Sequence, residues 1–277
     1  MARNLLKAGH AVTVWNRTGS KCDALVGEGA TRGGSPSAVV AACDVTFAML
    51  SDPAACRATV FGASGVLEGL KSAGGKGKGY VDMSTVDAET SASIAAAVAG
   101  AGGRFLEAPV SGSKGPAIDG TLVIMAAGDE GLNAEVAALM DVMGKKTFYL
   151  GPDVGAGARM KLVVNMIMGA MMGAFAEGMA LTEKSGLSQQ MLLDILDLGA
   201  MSNPMFRLKG KAVLNQRFPV NFPLKHQQKD MRLALALGDE KDQPMPIAAA
   251  ANESYKRAKL NNHGGEDFSA VYADIKK

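Results

Sequence analysis

Lys161 and Asn165 lie four residues apart at the start of the most apolar stretch of the chain. In an α-helix this spacing places both side chains on one face. A protonated amine that faces a carbonyl oxygen is a competent general acid, so the pair predicts a reactive group at the end of a helix, at an interdomain cleft. The alternative is a lysine at a helix end that reaches solvent, and the pair alone leaves both interpretations open.

Two further segments carry polar groups that could bind a substrate. In KHQQKDMRLAL (225–235), Lys225 and Lys229 share a predicted helix face and Asp230 follows, although a solvated charged face explains this equally well. The segment APVSGSKGPAIDG (108–120) ends a predicted strand with a hydroxyl and several glycines, which let backbone amides approach a carboxylate closely. An ordinary surface loop has the same composition. No histidine lies near these hydroxyls in the chain, which disfavours a nucleophilic triad.

The N-terminal segment predicts a helix in MARNLLKAGH and then a strand that ends at Asn16, Arg17 and Thr18. This order is the second half of a dinucleotide-binding unit. NAD enzymes place an acidic residue at the end of such a strand, whereas a cation and a hydroxyl suit the 2′-phosphate of NADP. A solvated turn is the alternative interpretation.

The strand and the glycine-rich turn that open a dinucleotide-binding unit do not precede this helix in the sequence. The turn normally supplies the amides that bind pyrophosphate, and the strand normally pairs on both sides. We therefore expect the chain as written to bind NADPH poorly and to be prone to instability, and a longer product to be active.

Short apolar runs alternate with helical stretches up to residue 150, which indicates an α/β fold. Strands are predicted at 45–50, 80–84, 104–109, 122–128 and 147–151. Ser35, Asp52 and Asp87 are predicted N-caps of the helices between them, the first two followed by proline. In a parallel sheet, the loops at 50–52, 84–86 and 109–112 would lie along one edge.

The predicted secondary structure changes after Gly151. No further strands are predicted, and a long helix rich in methionine and small residues runs from about 156 to 184. Its methionines are typical of a core or subunit interface. Further helices are predicted at 188–198, 203–214, 226–238, 246–260 and 267–276. The sequence thus predicts a dinucleotide-binding domain over 1–153 and an all-helical domain for substrate and oligomerisation over 154–277.

Composition favours a small-molecule partner. Lys plus Arg number 29 against 27 for Asp plus Glu, and no block of like charge could follow a nucleic acid or an anionic membrane. The apolar stretch 162–176 is short for a bilayer span and predicts a buried helix. Three cysteines and three histidines are scattered, which predicts reduced thiols and no metal. No signal segment is evident, so a cytoplasmic location is expected and an organellar form stays open.

Taken together, six segments of the sequence resemble the β-hydroxyacid dehydrogenase family, closest to its plant-type glyoxylate/succinic semialdehyde reductase branch. The segments are MARNLLKAGHAVTVWNRT, AMLSDPAA, DMSTVDAETS, EAPVSGSKGPAIDG, GARMKLVVNMIMGAMM and FPLKHQQKDMRLALALGD. This resemblance implies a Rossmann-like doubly wound sheet, here without its first strand, followed by an all-α domain with a long interdomain helix.

The resemblance also implies roles for individual residues. Lys161 matches the catalytic lysine. The positions that match substrate-binding residues are Ser111, Gly112, Ser113, Asn165, Phe222 and Asp230. The positions that match cofactor-binding residues are Asn16, Arg17, Thr18, Met49, Leu50, Thr85 and Lys229.

The implied reaction is NADPH-dependent reduction of glyoxylate to glycolate and of succinic semialdehyde to 4-hydroxybutyrate, with Lys161 as the acid. A 3-hydroxyisobutyrate-type dehydrogenase is the nearest alternative enzyme. A catalytically silent scaffold of the same fold is the alternative from another class, because the glycine-rich loop is missing. The apolar helix and the resemblance imply a homodimer or homotetramer.

Overall fold

A computed structural model describes all residues, 1–277, as two compact units. The first comprises residues 1–161 and the second residues 162–277, so the division falls inside one long helix. Each unit has its own apolar core.

The first unit alternates strands and helices, as the sequence predicts. Its strands are β1 (Thr13–Val14), β2 (Thr31–Arg32), β3 (Val45–Ala48), β4 (Gly79–Asp82), β5 (Arg104–Glu107), β6 (Val110–Ser111), β7 (Leu122–Gly128) and β8 (Gly144–Tyr149). Its helices are α1 (Ala2–Lys7), α2 (Asp23–Gly27), α3 (Pro36–Ala42), α4 (Pro53–Phe61), α5 (Val66–Ser72), α6 (Ala88–Gly100), α7 (Lys114–Asp119), α8 (Glu130–Glu135) and α9 (Ala137–Met143).

The central strands β3, β4 and β5 are adjacent and parallel, with Ala48, Asp82 and Glu107 in register at their carboxyl ends. The loops that follow these strands therefore share one edge of the sheet, which confirms the prediction for the loops at 50–52, 84–86 and 109–112. Beyond β5 the sheet continues with β7, which is antiparallel to β5 and β6 and parallel to β8.

The first two strands form a parallel pair of their own, and no strand joins β1 to β3. The chain opens on α1, and Leu5 of this helix packs into the core beneath the main sheet. The residues of β3 are half-buried, whereas those of β4 are buried throughout. This is an α/β, Rossmann-like unit.

Helix starts follow the predicted capping residues. The side chains of Ser35, Asp52 and Asp87 accept hydrogen bonds from the backbone amides of α3, α4 and α6, and proline occupies the first turn of α3 and α4. These caps fix where each strand-to-helix loop ends.

The sheet differs from the sequence prediction in its short strands and in its strand ends: β3, β4 and β5 end at 48, 82 and 107 rather than at 50, 84 and 109. The short strands β2 and β6 were not predicted, because two residues carry no detectable alternation. Strand β8 begins at Gly144 rather than at residue 147. The prediction followed the apolar run and left out Lys145 and Lys146, which are exposed polar residues of the strand.

The second unit is helical. Its helices are α10 (Ala156–Lys184), of which the first six residues belong to the first unit, α11 (Gln189–Leu198), α12 (Pro204–Leu214), α13 (Leu224–Glu240), α14 (Pro246–Leu260) and α15 (Val271–Ile275). Gly186 follows α10 at a φ of +72°, the left-handed conformation that commonly ends a helix. The predicted last helix is shorter than expected, because residues 268–270 form a 3₁₀ turn.

Helix α10 is long and apolar enough to span a membrane by length and composition alone, with 44% of the relevant window buried. Met172, Phe175 and Met179 lie in the core with Tyr255 and Tyr272, in agreement with a core role for the helix. Other residues of α10 form an exposed apolar stripe: Met160, Val163, Ile167, Met171 and Leu181. The helix therefore combines a core face with an uncovered apolar face.

Candidate active site

Lys161 and Asn165 occupy successive turns of α10, and both are buried, with 5% and 2% of their surface exposed. Burial removes the simplest alternative, a lysine that extends into bulk solvent. Burying an amine costs free energy unless polar groups surround it, so the buried Lys161 is a candidate for a functional lysine.

Asn165 is tied to α13 by its side chain. Its Nδ2 donates a 2.6 Å hydrogen bond to Oδ2 of Asp230, and Nζ of Lys229 lies 2.9 Å from Oδ1 of the same carboxylate. Three predicted site residues from two helices thus form one cluster. In contrast, Lys225 is exposed, so the solvated-face interpretation fits that lysine alone.

Close packing of α10 on α13 holds this cluster in register. Nε2 of Gln227 donates to the backbone carbonyl of Asn165 at 2.9 Å. One turn later, Gly169 lies against α13: an added Cβ would be 2.3 Å from Nε2 of Gln227 and 2.6 Å from Sδ of Met231, so both side chains would have to shift. The glycine permits this close approach without displacing either side chain.

Phe222 precedes α13 in a segment held by Asp267. Oδ2 of Asp267 accepts hydrogen bonds from the amides of Asn221 and Phe222 at 3.1 and 3.2 Å, and Oδ1 lies 2.7 Å from Nζ of Lys209. Burial alone would raise the pKa of the Asp267 carboxyl, but Lys209 and Ser269 outweigh it and the pKa is lowered from the usual 3.8. Sequence reasoning missed this pair, because its members are 58 residues apart.

The edge of the parallel sheet carries the predicted cofactor residues Leu50 and Thr85. The amide of Leu50 donates to Oγ of Ser84, and the amide of Ser84 donates to Oδ1 of Asp82, each at 2.9 Å. Burial raises the pKa of the Asp82 carboxyl from 3.8, against opposing hydrogen bonds from Ser84 and Cys56. Ser84 therefore joins the two loops, and the side chain of Met49 beside them is exposed.

The predicted carboxylate-binding loop follows β5. Ser111 ends β6 and is half-buried, and Gly112 has a φ of +126°. A Cβ at Gly112 would lie 2.9 Å from side-chain atoms of Leu122 and Pro116, so both conformation and space require glycine. Ser113 precedes α7 without capping it, which leaves its hydroxyl available for another partner.

Glu107, the last residue of β5, is buried and receives three hydrogen bonds. Its Oε1 accepts the amides of Gly155 and Gly157 at 2.7 and 2.8 Å, and its Oε2 accepts the hydroxyl of Ser91 at 2.5 Å. Burial raises the pKa of Glu107 from 4.5, although these hydrogen bonds oppose it. The sequence predicts a strand at Glu107 and no functional role for it, because its hydrogen-bond partners are distant in the sequence.

The end of β1 presents an open cation. Oδ1 of Asn16 accepts the amide of Thr18 at 2.9 Å, and this turn displays the exposed Arg17 without an ion pair to the rest of the chain. An unengaged guanidinium next to a hydroxyl is a suitable donor set for a phosphate monoester. This end of β1 therefore fits the 2′-phosphate of NADP.

Two family models match nearly the whole chain. Residues 1–151 match the NAD binding domain of 6-phosphogluconate dehydrogenase, and residues 155–275 match the NAD-binding domain of NADP-dependent 3-hydroxyisobutyrate dehydrogenase. These matches, together with the α/β and helical units, define an NADP-dependent oxidoreductase.

Curated relatives narrow the class. The chain is 60% identical over 276 residues to glyoxylate/succinic semialdehyde reductase 1 of Arabidopsis thaliana, covering 100% of this chain and 94% of that protein. It is 54% identical over 276 residues to the chloroplastic glyoxylate/succinic semialdehyde reductase 2 of the same plant, covering 100% and 76%. The chain belongs to the β-hydroxyacid dehydrogenase family, near these plant reductases.

A solved structure supports the fold assignment. A 3-hydroxyisobutyrate dehydrogenase from Salmonella typhimurium superposes with a TM-score of 0.89 at 25% identity, covering 98% of this chain and 94% of that one. The family resemblance and fold class predicted from the sequence are thus confirmed.

Proposed function

We propose that the protein reduces short aldehyde acids with NADPH, converting glyoxylate to glycolate and succinic semialdehyde to 4-hydroxybutyrate. The names of the two Arabidopsis relatives support these substrates. The observation that carries the proposal is the buried Lys161, one helical turn before an asparagine that is itself held by Asp230.

The proton in this reaction comes from Lys161. Bound NADPH supplies a hydride to the aldehyde carbon. The ammonium of Lys161 donates a hydrogen bond to the carbonyl oxygen, stabilises the negative charge that develops there, and transfers its proton to give the hydroxyl. The carbon gains a hydride and the oxygen gains a proton, so the product is the hydroxy acid.

The segment Ser111–Gly112–Ser113 anchors the substrate carboxylate. Its hydroxyls and the amides near Gly112 are donors without charge, which bind a carboxylate at modest desolvation cost. Binding of the carboxylate at a fixed point orients the substrate for the reaction. The distance from this point to the reacting carbonyl group then selects the length of the substrate. Asn165, Asp230 and Phe222 are assigned to substrate binding in this proposal.

Arg17, with Asn16 and Thr18, holds the 2′-phosphate of the cofactor. Met49, Leu50 and Thr85 would contact the cofactor, and Lys229 of α13 is also assigned to cofactor binding in this proposal. This assignment makes the hydrogen bonds through Ser84 part of the cofactor site, since they fix the loops that carry Leu50 and Thr85.

Substitution of Lys161 tests the proposal. Lys161→Ala should lower kcat for glyoxylate by about 10²-fold or more, with a smaller effect on the Kd of NADPH. Lys145→Ala, which changes an exposed lysine of β8, is the matched control and should retain full activity. Near-normal turnover by Lys161→Ala would remove this lysine from the acid role.

A 3-hydroxyisobutyrate-type dehydrogenase is the second candidate, because the Salmonella enzyme of that name shares the fold. It is distinguished by comparing kcat/KM for 3-hydroxyisobutyrate oxidation with kcat/KM for reduction of the two aldehydes. A catalytically silent scaffold would show no turnover with any of them while remaining folded.

The assembly is a homodimer or homotetramer in this proposal, supported by the exposed apolar stripe of α10. The proposed location is cytoplasmic, with an organellar form as the alternative. Sedimentation of the purified chain measures the number of subunits.

A further inference from the structure

The start of α10 is capped in a different way from the four helices of the first unit whose N-cap side chains bind the helix amides. Helices α3, α4, α6 and α8 are each capped by the residue directly before them: Ser35, Asp52, Asp87 and Asp129. The first amides of α10 instead bind Glu107, which is 48 residues away from Gly155 and 50 from Gly157. The cap therefore joins the helix to the end of strand β5.

This cap satisfies amides that a helix cannot satisfy by itself. The first four amides of any helix lack intrahelical partners, and a carboxylate near them also interacts favourably with the positive end of the helix dipole. One oxygen of Glu107 accepts two such amides, and the other is held by Ser91 of α6. Both oxygens of the carboxylate are thus fixed.

The backbone packing leaves the helix little freedom at this point. A Cβ at Gly157 would lie 2.6 Å from the carbonyl oxygen of Met125 and 3.2 Å from Oε1 of Glu107. The first turn of α10 consequently rests directly on β7 and on the Glu107 carboxylate. Residue 161 follows residue 157 by about one turn of the helix. The axial position and the rotation of the helix at Gly157 therefore also determine where Lys161 lies.

We propose that Glu107 is a positioning residue for the proton donor: by capping α10 from strand β5, it sets where the Lys161 amine lies relative to the loops at the sheet edge. This inference rests on the proposed reductase function. Glu107 touches neither substrate nor cofactor in this account and acts through the helix.

Three variants separate this role from a general effect on stability. Glu107→Ala removes both acceptors. Glu107→Gln keeps an oxygen for the amides of Gly155 and Gly157, and its amide group can donate to Ser91. Asp129→Ala, the matched control, removes the cap of α8, where the carboxylate accepts the amide of Leu132 at 2.6 Å.

The first measurement is hydrogen exchange at the start of α10, which does not depend on activity. Glu107→Ala should increase exchange of the amides at 155–161, whereas Glu107→Gln and Asp129→Ala should leave them protected. Unchanged hydrogen exchange in Glu107→Ala would contradict the role of Glu107 as the cap of α10.

The second measurement is steady-state kinetics with glyoxylate. Glu107→Ala should lower kcat about tenfold to hundredfold with little change in the KM of glyoxylate or the Kd of NADPH, and Glu107→Gln should restore most of kcat. An unchanged kcat in Glu107→Ala, or an equal loss in Asp129→Ala, would overturn the positioning role. If Glu107→Ala does not fold, Ser91→Ala should shift both measurements in the same direction by less, and no shift would contradict the proposal.

Failure of the two proposals can be told apart. A wild-type chain that is folded but reduces neither aldehyde contradicts the reductase function, while hydrogen exchange still reports on the cap. A wild-type chain that is active, with Glu107→Ala equally active, contradicts only the positioning role.

Discussion

The two units of the protein bury carboxylates in opposite ways. In the first unit, Asp82 and Glu107 sit in register at the ends of neighbouring strands and accept hydrogen bonds from backbone amides and a serine hydroxyl. In the second unit, Asp267 is paired with the buried ammonium of Lys209, which also lies 4.8 Å from the centre of the Phe268 ring. The first two carboxyl groups have raised pKa values, and the third has a lowered one.

The contrast shows what each carboxylate contributes. Asp82 and Glu107 accept hydrogen bonds from uncharged donors, and these bonds do not require the carboxyl group to stay charged. Through them, Asp82 and Glu107 fix loops and a helix start at the sheet edge. Asp267 depends on its charge, because loss of that charge would leave Lys209 buried and unpaired. Substitution of these carboxylates and of Arg17 tests this difference.

Asp267→Asn should be the most damaging isosteric change. It leaves a buried ammonium without a counterion and removes acceptor capacity from the amides of Asn221 and Phe222, so we expect a loss of about 3–5 kcal/mol in the free energy of unfolding. Chemical denaturation measures the loss. Adding Lys209→Met should recover part of it, and a double variant no more stable than Asp267→Asn would contradict a charge-dependent pair.

Arg17 has no ion-pair partner in the chain, in contrast to Lys209, and Arg17→Asp tests its role. The Kd of NADPH should rise about tenfold to hundredfold, because charge-assisted hydrogen bonds to a phosphate contribute about 1.5–3 kcal/mol, while the Kd of NADH should change little. Cofactor fluorescence measures both constants. An equal loss for both cofactors would show that Arg17 does not read the 2′-phosphate.

The dependence of stability on pH should have opposite signs in the two units. The folded pKa of Asp267 is lowered, so its contribution is present above 3.8 and is lost as pH falls below that value. The folded pKa values of Asp82 and Glu107 are raised, so their contributions are present below 3.8 and 4.5 and are lost as pH rises through the folded values. Each unit of pKa difference corresponds to about 1.4 kcal/mol.

Unfolding measured from acidic to neutral pH checks these signs. The stability difference between wild type and Asp267→Asn should shrink as pH falls below 3.8. The difference between Asp82→Asn and wild type should grow in favour of the variant as pH rises above 3.8. A parallel pH dependence of all three proteins would refute the contrast between the units.

Asp82→Asn at neutral pH should have the smallest effect. The amide keeps an oxygen for the backbone amide of Ser84 and removes a buried charge, so stability should stay within about 1 kcal/mol of wild type or rise. Thermal unfolding measures the change. A loss comparable to that of Asp267→Asn would mean that Asp82, too, depends on its charge.

Local signals in the sequence predicted much of the fold. Ser35, Asp52 and Asp87 cap helices as expected, and the long helix ends before Gly186. Each of these features is encoded within a few neighbouring residues. The strands β2 and β6 escaped prediction because they exist only through pairing with distant partners.

The candidate site was predictable in its residue types but not in its connections. Lys161 and Asn165 share a helix face by spacing alone, whereas the hydrogen bond from Asn165 to Asp230 joins residues 65 apart. Glu107 lies in a segment that looks like an ordinary strand end, and only the fold brings the amides of Gly155 and Gly157 to it. Long-range contacts of this kind leave no local pattern in the sequence.

The most direct test of the reductase function is NADPH oxidation by the purified, folded chain, with glyoxylate and succinic semialdehyde compared side by side and NADPH raised until the rate saturates. We expect aldehyde-dependent oxidation, with one hydroxy acid formed for each NADPH consumed and with kcat lowered about 10²-fold or more in Lys161→Ala. A folded chain that oxidises no NADPH with either aldehyde would contradict it.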